Sequence, residues 1–323
     1  MSILITGGLG FIGSHTARLI HESGLNVVVL DNLTNGKWEN AQWGTVLQGD
    51  ISDVPLVRSI IRQHSVTSVL HLAAHVQVGE SMVRPDFYFA NNVCGSLRLL
   101  EAMTAEGVRQ FVFASSSSVY GNSGSLSAHE EDAVTPVSPY GESKLQTERI
   151  LPWYQRTFGL QWLALRYFNV AGAKDGLGEE ISSSVRIIPR VVHSGISDEA
   201  TLEVFGTEFP TADGSAVRDF IHVDDVAHAN LKALSHVRAV DAGEVLNIGS
   251  GVGVSVLQII DEVSKELGQP VKYHPRLPRP GDPAHSVSDI SKATKLLDWE
   301  PVASSLPNIV GSVMKSARSR LRA

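Results

Sequence analysis

The sequence predicts an α/β protein built on a doubly wound parallel sheet, followed by a smaller mixed α/β lobe. Three observations predict it. Short apolar runs alternate with helix-length amphipathic stretches over the first half of the chain. Glycines 7, 10 and 13 separate the first apolar run from the first helical stretch. From about Gly172 the alternation loosens into glycine-containing and acidic loops. We expect residues 1–171 to form the sheet domain and 172–323 mainly the second lobe, with further segments from about 218–250 returning to the first.

The elements follow in order. Ile3–Thr6 is a short strand, and the G-x-x-G-x-x-G turn leads into a helix that runs to about Ser23, where Gly24 can stop it. Val27–Leu30 is a second strand, ending at Asp31. Strand, glycine turn, helix, strand and acid together make the Rossmann-type βαβ layout that binds a dinucleotide. Glycine permits the tight turn and close approach of a pyrophosphate, and the helix N-terminus faces that anion with free N–H groups. Asp31 suits the adenosine ribose hydroxyls and would repel a 2′-phosphate, which favours NAD over NADP. Thr45–Gln48 is a strand candidate followed by Asp50 and Ile51, and a helix is expected over Val54–His64. Val66–Leu72 is apolar enough for a strand buried on both faces, and the small Ala73 and Ala74 follow it. Pro85–Ala105 reads as one long helix carrying Asn91, Asn92 and Cys94, with Cys94 expected to serve packing. Phe111–Phe113 is a strand that ends in Ser115-Ser116-Ser117-Ser118, and Leu163–Arg166 is a sixth strand. Ligands of such sheets bind at the carboxyl ends of the strands. The second lobe should hold a helix near Ser184–His193 and strands at Leu202–Phe205 and Val217–Ile221. Helices near Val226–Ser235 and Ser255–Leu267 should follow. Pro275, Pro278, Pro280 and Pro283 crowd a segment that is expected to be irregular.

The chemistry centres on Ser138-Pro139-Tyr140-Gly141-Glu142-Ser143-Lys144. Pro139 suits a first helical turn and Ser138 its N-cap. Tyr140 and Lys144 then share one face. A free phenol titrates near about 10, and a nearby cation favours the phenolate. Reaching neutrality takes about 4 kcal/mol, which a lysine together with a cationic cofactor ring would supply.

Composition narrows the class. With 43% hydrophobic and 19% charged residues in 323, a sizeable core is expected. A net charge of -7 argues against nucleic acid as a partner. One cysteine excludes an internal disulfide and a cysteine-rich metal site, and the 12 histidines show no ligand spacing, so no metal is expected. Met1 runs directly into an apolar strand, and no apolar run reaches the ~18 residues needed to span a bilayer. The expectation is a cytoplasmic protein with no membrane segment.

Several blocks together resemble the UDP-glucose 4-epimerase family of the extended short-chain dehydrogenase/reductases. They are GGLGFIGSH (7–15), DNLTNG (31–36), VGESM (78–82), SSSSVYG (115–121), SPYGESK (138–144) and LRYFNVAGA (165–173), then FGTEFPTADGSAVRDFIHVDDVA (205–227), LNIGSG (246–251) and RPGDPA (279–284). The match spans nearly the whole chain, and the 205–227 block is its most specific part. The resemblance implies that Tyr140 takes the proton of the sugar 4-hydroxyl. Lys144 binds the nicotinamide ribose and depresses the phenol. Ser116 shares a hydrogen bond with the hydroxyl, with Ser117 as the alternative if the alignment slips by one. Transient oxidation at C4 by tightly held NAD then inverts the centre without net redox change. Gly7, Gly10, Phe11, Ile12, Gly13, Asp31, Asn32, Asn35, Gly36, Asp50, Ile51, Leu72, Ala73, Ala74, Asn92, Ser115, Tyr167 and Phe168 would flank the NAD. Asn169, Arg186, Ile187, Val204, Phe205, Arg218, Arg279, Asp282 and Ser286 would join Ser116, Ser117 and Tyr140 around the UDP-sugar. Helices near Pro85–Ala105 and Ser138–Arg156 imply a homodimer.

Three positions depart from the family pattern. Val76 stands where some members carry lysine, and Arg186 where asparagine or histidine is frequent. Ser286 stands where a large aromatic restricts the pocket to simple hexoses, so N-acetylhexosamine substrates are expected as well. A 4,6-dehydratase would need an acidic pair where Ser117 and Ser118 stand. Epimerases of UDP-glucuronate, which Arg186 would suit, or of dTDP-sugars remain alternatives. From another class, so does a non-catalytic NAD-binding regulator.

Overall fold

The computed structural model describes residues 2–122, 126–197, 201–239, 243–279 and 282–321. Strand β1 (Ser2–Thr6) is buried along its length and ends at Gly7, whose φ of +71° turns the chain. A Cβ on Gly7 would lie 2.7 Å from the Ala73 nitrogen, and one on Gly13 would lie 2.2 Å from the Gly7 oxygen. These glycines therefore let helix α1 (Phe11–Glu22) sit directly on the turn. Strand β2 (Asn26–Asp31) follows, then β3 (Thr45–Gln48) and α2 (Val54–Gln63), whose N-cap Asp53 accepts from Leu56 N–H at 3.0 Å. Strand β4 (Val66–His71) leads to the short helices α3 (Val78–Val83) and α4 (Pro85–Phe89).

Here one expectation is corrected. The helix read as continuous over 85–105 is interrupted by a π-turn, Ala90–Gly95, before α5 (Ser96–Ala105). The wider turn buries Asn92 and leaves Cys94 exposed, so the cysteine read as packing lies on the outer surface. Strand β5 (Gln110–Ser116), helix α6 (Pro139–Phe158) and strand β6 (Gln161–Tyr167) complete the run. Ser138 caps α6 by accepting from Gly141 N–H at 3.1 Å.

The second half contains β7 (Asn169–Ala171), α7 (Ile187–Ile196), β8 (Leu202–Phe205), β9 (Val217–His222), α8 (Val223–His236), β10 (Glu244–Ile248) and β11 (Gly253–Ser255). It ends with α9 (Val256–Leu267), β12 (Tyr273–Arg276), β13 (His285–Ser286), α10 (Ser291–Leu297) and α11 (Leu306–Leu321). Among the described residues, seven strands form one parallel sheet in the order β10-β6-β5-β4-β1-β2-β3. The predicted fold class is borne out. Residues of α1, α8 and α10 cover one face, packing Ile20, Val226, Ala233 and Leu297 on Ile3, Ile5 and Leu165. Residues of α2, α5 and α6 cover the other, with Val57, Leu99 and Leu151 among those packed on Leu4, Val69 and Phe111. Strands β7, β9, β11 and β13 make a small second sheet, and β8 and β12 a two-stranded ribbon. A third core joins Val192 of α7, Ile260 of α9 and Val310 of α11.

The proline-rich segment is a second correction. Pro275 lies within β12, paired in parallel register with Val204. The ribbon tolerates it because β12 has a single partner, so one edge of the strand needs no ladder donor. Pro280 lies outside the described residues. Among them, no helix is long and apolar enough to cross a membrane.

Candidate active site

The sheet order reverses around β1, with β2 on one side and β4 on the other. The groups at this switch point gather at the carboxyl ends of the strands. Gly10 occupies the N-cap of α1 without a capping side chain, and the first turn holds no acid. The leading N–H groups, at Phe11 and Ile12, are thus left for an external anion. Asp31 is buried and accepts from Leu9 N–H at 3.0 Å and Leu33 N–H at 2.9 Å. A Cβ on Gly36 would lie 2.5 Å from its Oδ1, so that glycine lets the 32–36 loop fold over the carboxylate. Asn32 donates to Asp50 Oδ2 at 2.9 Å. Burial pushes Asp50 up, but hydrogen bonds from Ser52 and Asn32 outweigh it and hold the carboxyl below its ordinary value. Ile51 is buried, while Asn35 is exposed. Leu72 N–H continues onto Thr6 O at 3.0 Å, which brings Ala73 and the half-buried Ala74 against the glycine turn. An uncapped helix start and a shielded carboxylate at the end of β2 fit a dinucleotide's diphosphate and ribose diol.

Tyr140 and Lys144 do share one face of α6, both buried, and they meet the end of β5. The Ser116 side chain lies near enough to the Tyr140 phenol to lower it. Ser116 Oγ accepts from Ser118 N–H at 3.2 Å, fixing the tight turn after the strand. The geometry thus brings Ser116 to the phenol. Lys144 Nζ donates to Ala114 O at 2.8 Å and lies 6.0 Å from the centre of the Tyr140 ring. Burial pushes the Lys144 ammonium down to about 7, against the charge of Glu148. Burial also pushes the Tyr140 phenol above its ordinary value, while the Ser116 side chain and the Arg186 charge work the other way. The lowered phenol expected from the Tyr–Lys spacing is therefore not achieved by the chain alone, because desolvation outweighs the nearby positive charge.

The remaining expected site residues come from the second lobe. The Arg186 guanidinium lies 5.0 Å from the Phe11 ring centre and pairs with Glu179 at 2.9 Å. Ile187 follows it as the first residue of α7. Asn169 donates to Asp219 O at 3.0 Å. Arg218 Nη1 donates to Val217 O at 2.9 Å; burial lowers its guanidinium and Asp282 offsets this. Asp282 N–H donates to Arg279 O at 3.1 Å, and the Arg279 guanidinium stands 4.2 Å over Phe205. Ser286 pairs in register with Arg218. Val204 is buried in the third core and Val76 is exposed.

Four expected ligand residues also have partners within the chain. Ser115 donates to Glu148 at 2.5 Å. Asn92 accepts from His75 N–H and donates to His75 O and to Ser143, so its amide braces the loop after β4. The Tyr167 hydroxyl donates to Asn230 at 2.6 Å, and Phe168 packs with Val119, Tyr120 and Leu145. Sequence reading missed Glu148, Arg166 and Asp219, each buried and multiply bonded. Charged residues inside otherwise apolar strands, as in Val217–His222, were the available signal.

Residues 3–249 match the NAD dependent epimerase/dehydratase family. The chain is 39% identical over 312 residues to the UDP-glucose 4-epimerase of Halalkalibacterium halodurans, covering 96% of this chain and 93% of that protein. The structure of a UDP-glucose 4-epimerase from Brucella ovis in complex with NAD superposes with a TM-score of 0.94 at 35% identity, over 98% of each chain. That of a UDP-glucose-4-epimerase from Stenotrophomonas maltophila, with bound NAD and formylated UDP-arabinopyranose, gives 0.95 at 35% identity, over 100% of this chain and 99% of that one. Fold, site geometry and near full-length similarity agree: the chain belongs to the NAD dependent epimerase/dehydratase family.

Proposed function

We propose that the protein is an NAD-dependent 4-epimerase of UDP-sugars, acting on the UDP-glucose/UDP-galactose pair and on the N-acetylhexosamine forms. The observation that carries this reading is the placement of Ser116 beside the buried Tyr140 phenol, with Lys144 buried one turn further along α6. NAD, when bound, supplies the reversible oxidation at C4. The α1 N-terminus would hold its diphosphate, Asp31 its adenosine ribose and Lys144 its second ribose. Tyr140 takes the proton of the sugar 4-hydroxyl and returns it, while Ser116 holds that hydroxyl in line. Arg218 and Arg279 hold the nucleotide diphosphate, for which a planar guanidinium supplies two parallel donors. Ser117 and Ser118 supply no acid–base pair for water elimination, which favours epimerisation over dehydration.

Ser286 leaves room for a 2-acetamido group. Replacing Ser286 with Tyr is expected to remove turnover of UDP-N-acetylgalactosamine while keeping or raising that of UDP-galactose; absence of N-acetyl turnover in the wild type ends this assignment. The reading includes a homodimer, supported by apolar side chains exposed on the outer faces of α3 and α6: Met82, Val83, Trp153 and Phe158. It also includes a cytoplasmic location, where the nucleotide substrates and cofactor are found.

The test is incubation of the purified protein, without added NAD, with UDP-galactose, UDP-N-acetylgalactosamine and UDP-galacturonate separately, products being resolved by chromatography. Conversion of the first to UDP-glucose is expected. Conversion of the uronate alone would move the assignment to anionic sugars, with Arg186 released from Glu179 to meet the carboxylate. No conversion of any, even with NAD supplied, would overturn the epimerase reading.

A further inference from the structure

The face of α6 that presents Tyr140 and Lys144 continues one turn to Glu148, and the three residues are only 8%, 4% and 6% exposed. One carboxylate oxygen of Glu148 accepts from Ser115 Oγ at 2.5 Å and Arg166 Nε at 3.0 Å; the other accepts from Arg166 Nη2 at 2.7 Å. Ser115 and Arg166 are register partners across β5 and β6, and Arg166 and Asn247 across β6 and β10. The Arg166 guanidinium stands 4.8 Å from the centre of the Tyr120 ring, and the Tyr120 hydroxyl donates to Asn247 at 2.7 Å. A polar row thus crosses three strands one residue before Ser116 and Tyr167, and Glu148 fastens it to α6. An ion pair this buried costs desolvation, and apolar residues of similar volume often serve folding as well.

Lys144 gives the pair a use. Its Nζ meets the Ala114 carbonyl on β5, lies 5.0 Å from the Phe113 ring and 6.0 Å from that of Tyr140, and is faced from β4 by His71. His71 is pushed down to about 3, by burial first and by Lys144 second, so it is neutral and offers no counter-charge. Glu148 does offer one. Resting on the epimerase reading, we propose that Glu148 is a positioning residue, supplying the fixed counter-charge to the buried Lys144 ammonium and, through Ser115 and Arg166, anchoring the strand end that carries Ser116. Arg166 holds that carboxylate in place through two hydrogen bonds.

The decisive variant is Glu148→Gln, which keeps the shape and removes the charge. Without the carboxylate, Lys144 loses its proton at lower pH. We expect kcat for UDP-galactose at pH 7.5 to fall about tenfold, and the alkaline limb of the pH profile to move down by about one pH unit. Glu148→Asp retains the charge and should return kcat to within about threefold of wild type on an unshifted profile. An NMR titration of protein labelled at the lysine ε-carbon, with Lys144 assigned from a Lys144→Met variant, should show the same downward move in Glu148→Gln. That titration needs no substrate, so it separates failure of this proposal from failure of the epimerase reading. If Glu148→Gln does not fold, the double variant Glu148→Met/Arg166→Met should still move the lysine titration down, but by less, because loss of the Arg166 charge partly offsets loss of the carboxylate. An unmoved lysine titration and an unmoved limb in either variant would leave Glu148 a purely structural residue and overturn the proposal, as would an Asp variant indistinguishable from Gln.

Discussion

Replacement of Tyr140 by phenylalanine is expected to lower kcat for UDP-galactose by about three orders of magnitude, the range in which removal of a positioned general acid–base group acts. The substitution deletes one oxygen and leaves the ring. That ring is buried and packs edge-to-face with Tyr88 at 6.5 Å between centroids, so the local packing survives. What is lost structurally is the polar interaction of the hydroxyl with Ser116, a net cost of no more than about 1 kcal/mol. The fold and its cofactor content should therefore persist, and only the proton of the 4-hydroxyl is left without an acceptor. Burial holds the wild-type phenol above its ordinary value, so its share of the reactive, deprotonated form grows as pH rises. Lys144, pushed down to about 7 in the chain alone, loses its charge over the same climb. These opposed titrations predict a bell-shaped profile for the wild type, and the limb due to Tyr140 should vanish in the Phe variant. Steady-state rates from pH 5.5 to 9.5, with bound cofactor quantified by absorbance, check this. Residual activity above about a tenth of wild type would remove Tyr140 from proton transfer.

How far the site could be read in advance depended on the distance between interacting residues along the chain. The glycine turn, α1, β2 and Asp31 lie within 31 residues, and each link is a neighbour-to-neighbour property of turn, period or strand end. Tyr140 and Lys144 fall on one face because the helix period places them there. Where an element depended on its partner, reading failed. Pro275 forms a strand because β12 needs only one neighbour, and Cys94 is exposed because a π-turn replaces the α-helical register. Ser115 and Ser116 are adjacent and chemically alike, yet alternation along β5 sends one to Glu148 and the other to Tyr140. The blocks resembling known epimerases single out Ser116, which the fold places beside the phenol, but the buried pair behind it joins residues 18 apart across a helix and a strand, which no local pattern reveals.

The largest loss of stability is expected from Asp219→Ala, at a residue the sequence marks only as a charge inside an otherwise apolar strand. Asp219 is completely buried. Its carboxylate accepts from Ser250 N–H at 2.7 Å, Ser250 Oγ at 2.6 Å, Gly251 N–H at 3.0 Å, Ser288 N–H at 3.1 Å and Ser288 Oγ at 2.5 Å. Gly249 admits this arrangement, since a Cβ there would come within 2.4 Å of Oδ2. One side chain on β9 therefore satisfies the loop after β10 and the segment after β13, two pieces of chain 31 and 69 residues away. Alanine would strand these donors. A buried group left unpaired costs about 1–3 kcal/mol, and several stranded together, allowing for partial relaxation and water entry, suggest about 3–5 kcal/mol. That is a large fraction of the roughly 5–15 kcal/mol by which domains exceed unfolding. Asparagine is no remedy, because its amide would turn donors towards donors. In function, Arg218 and Ser286 sit on the paired strands β9 and β13 that Asp219 fastens, so KM should rise even at temperatures where the variant is folded. Thermal unfolding followed by tryptophan fluorescence should show a midpoint lowered by roughly 6–12 °C. A shift below about 2 °C would mean that water replaces the carboxylate at little cost, and that β9, β13 and the 249–251 turn are held together by their backbone pairing instead.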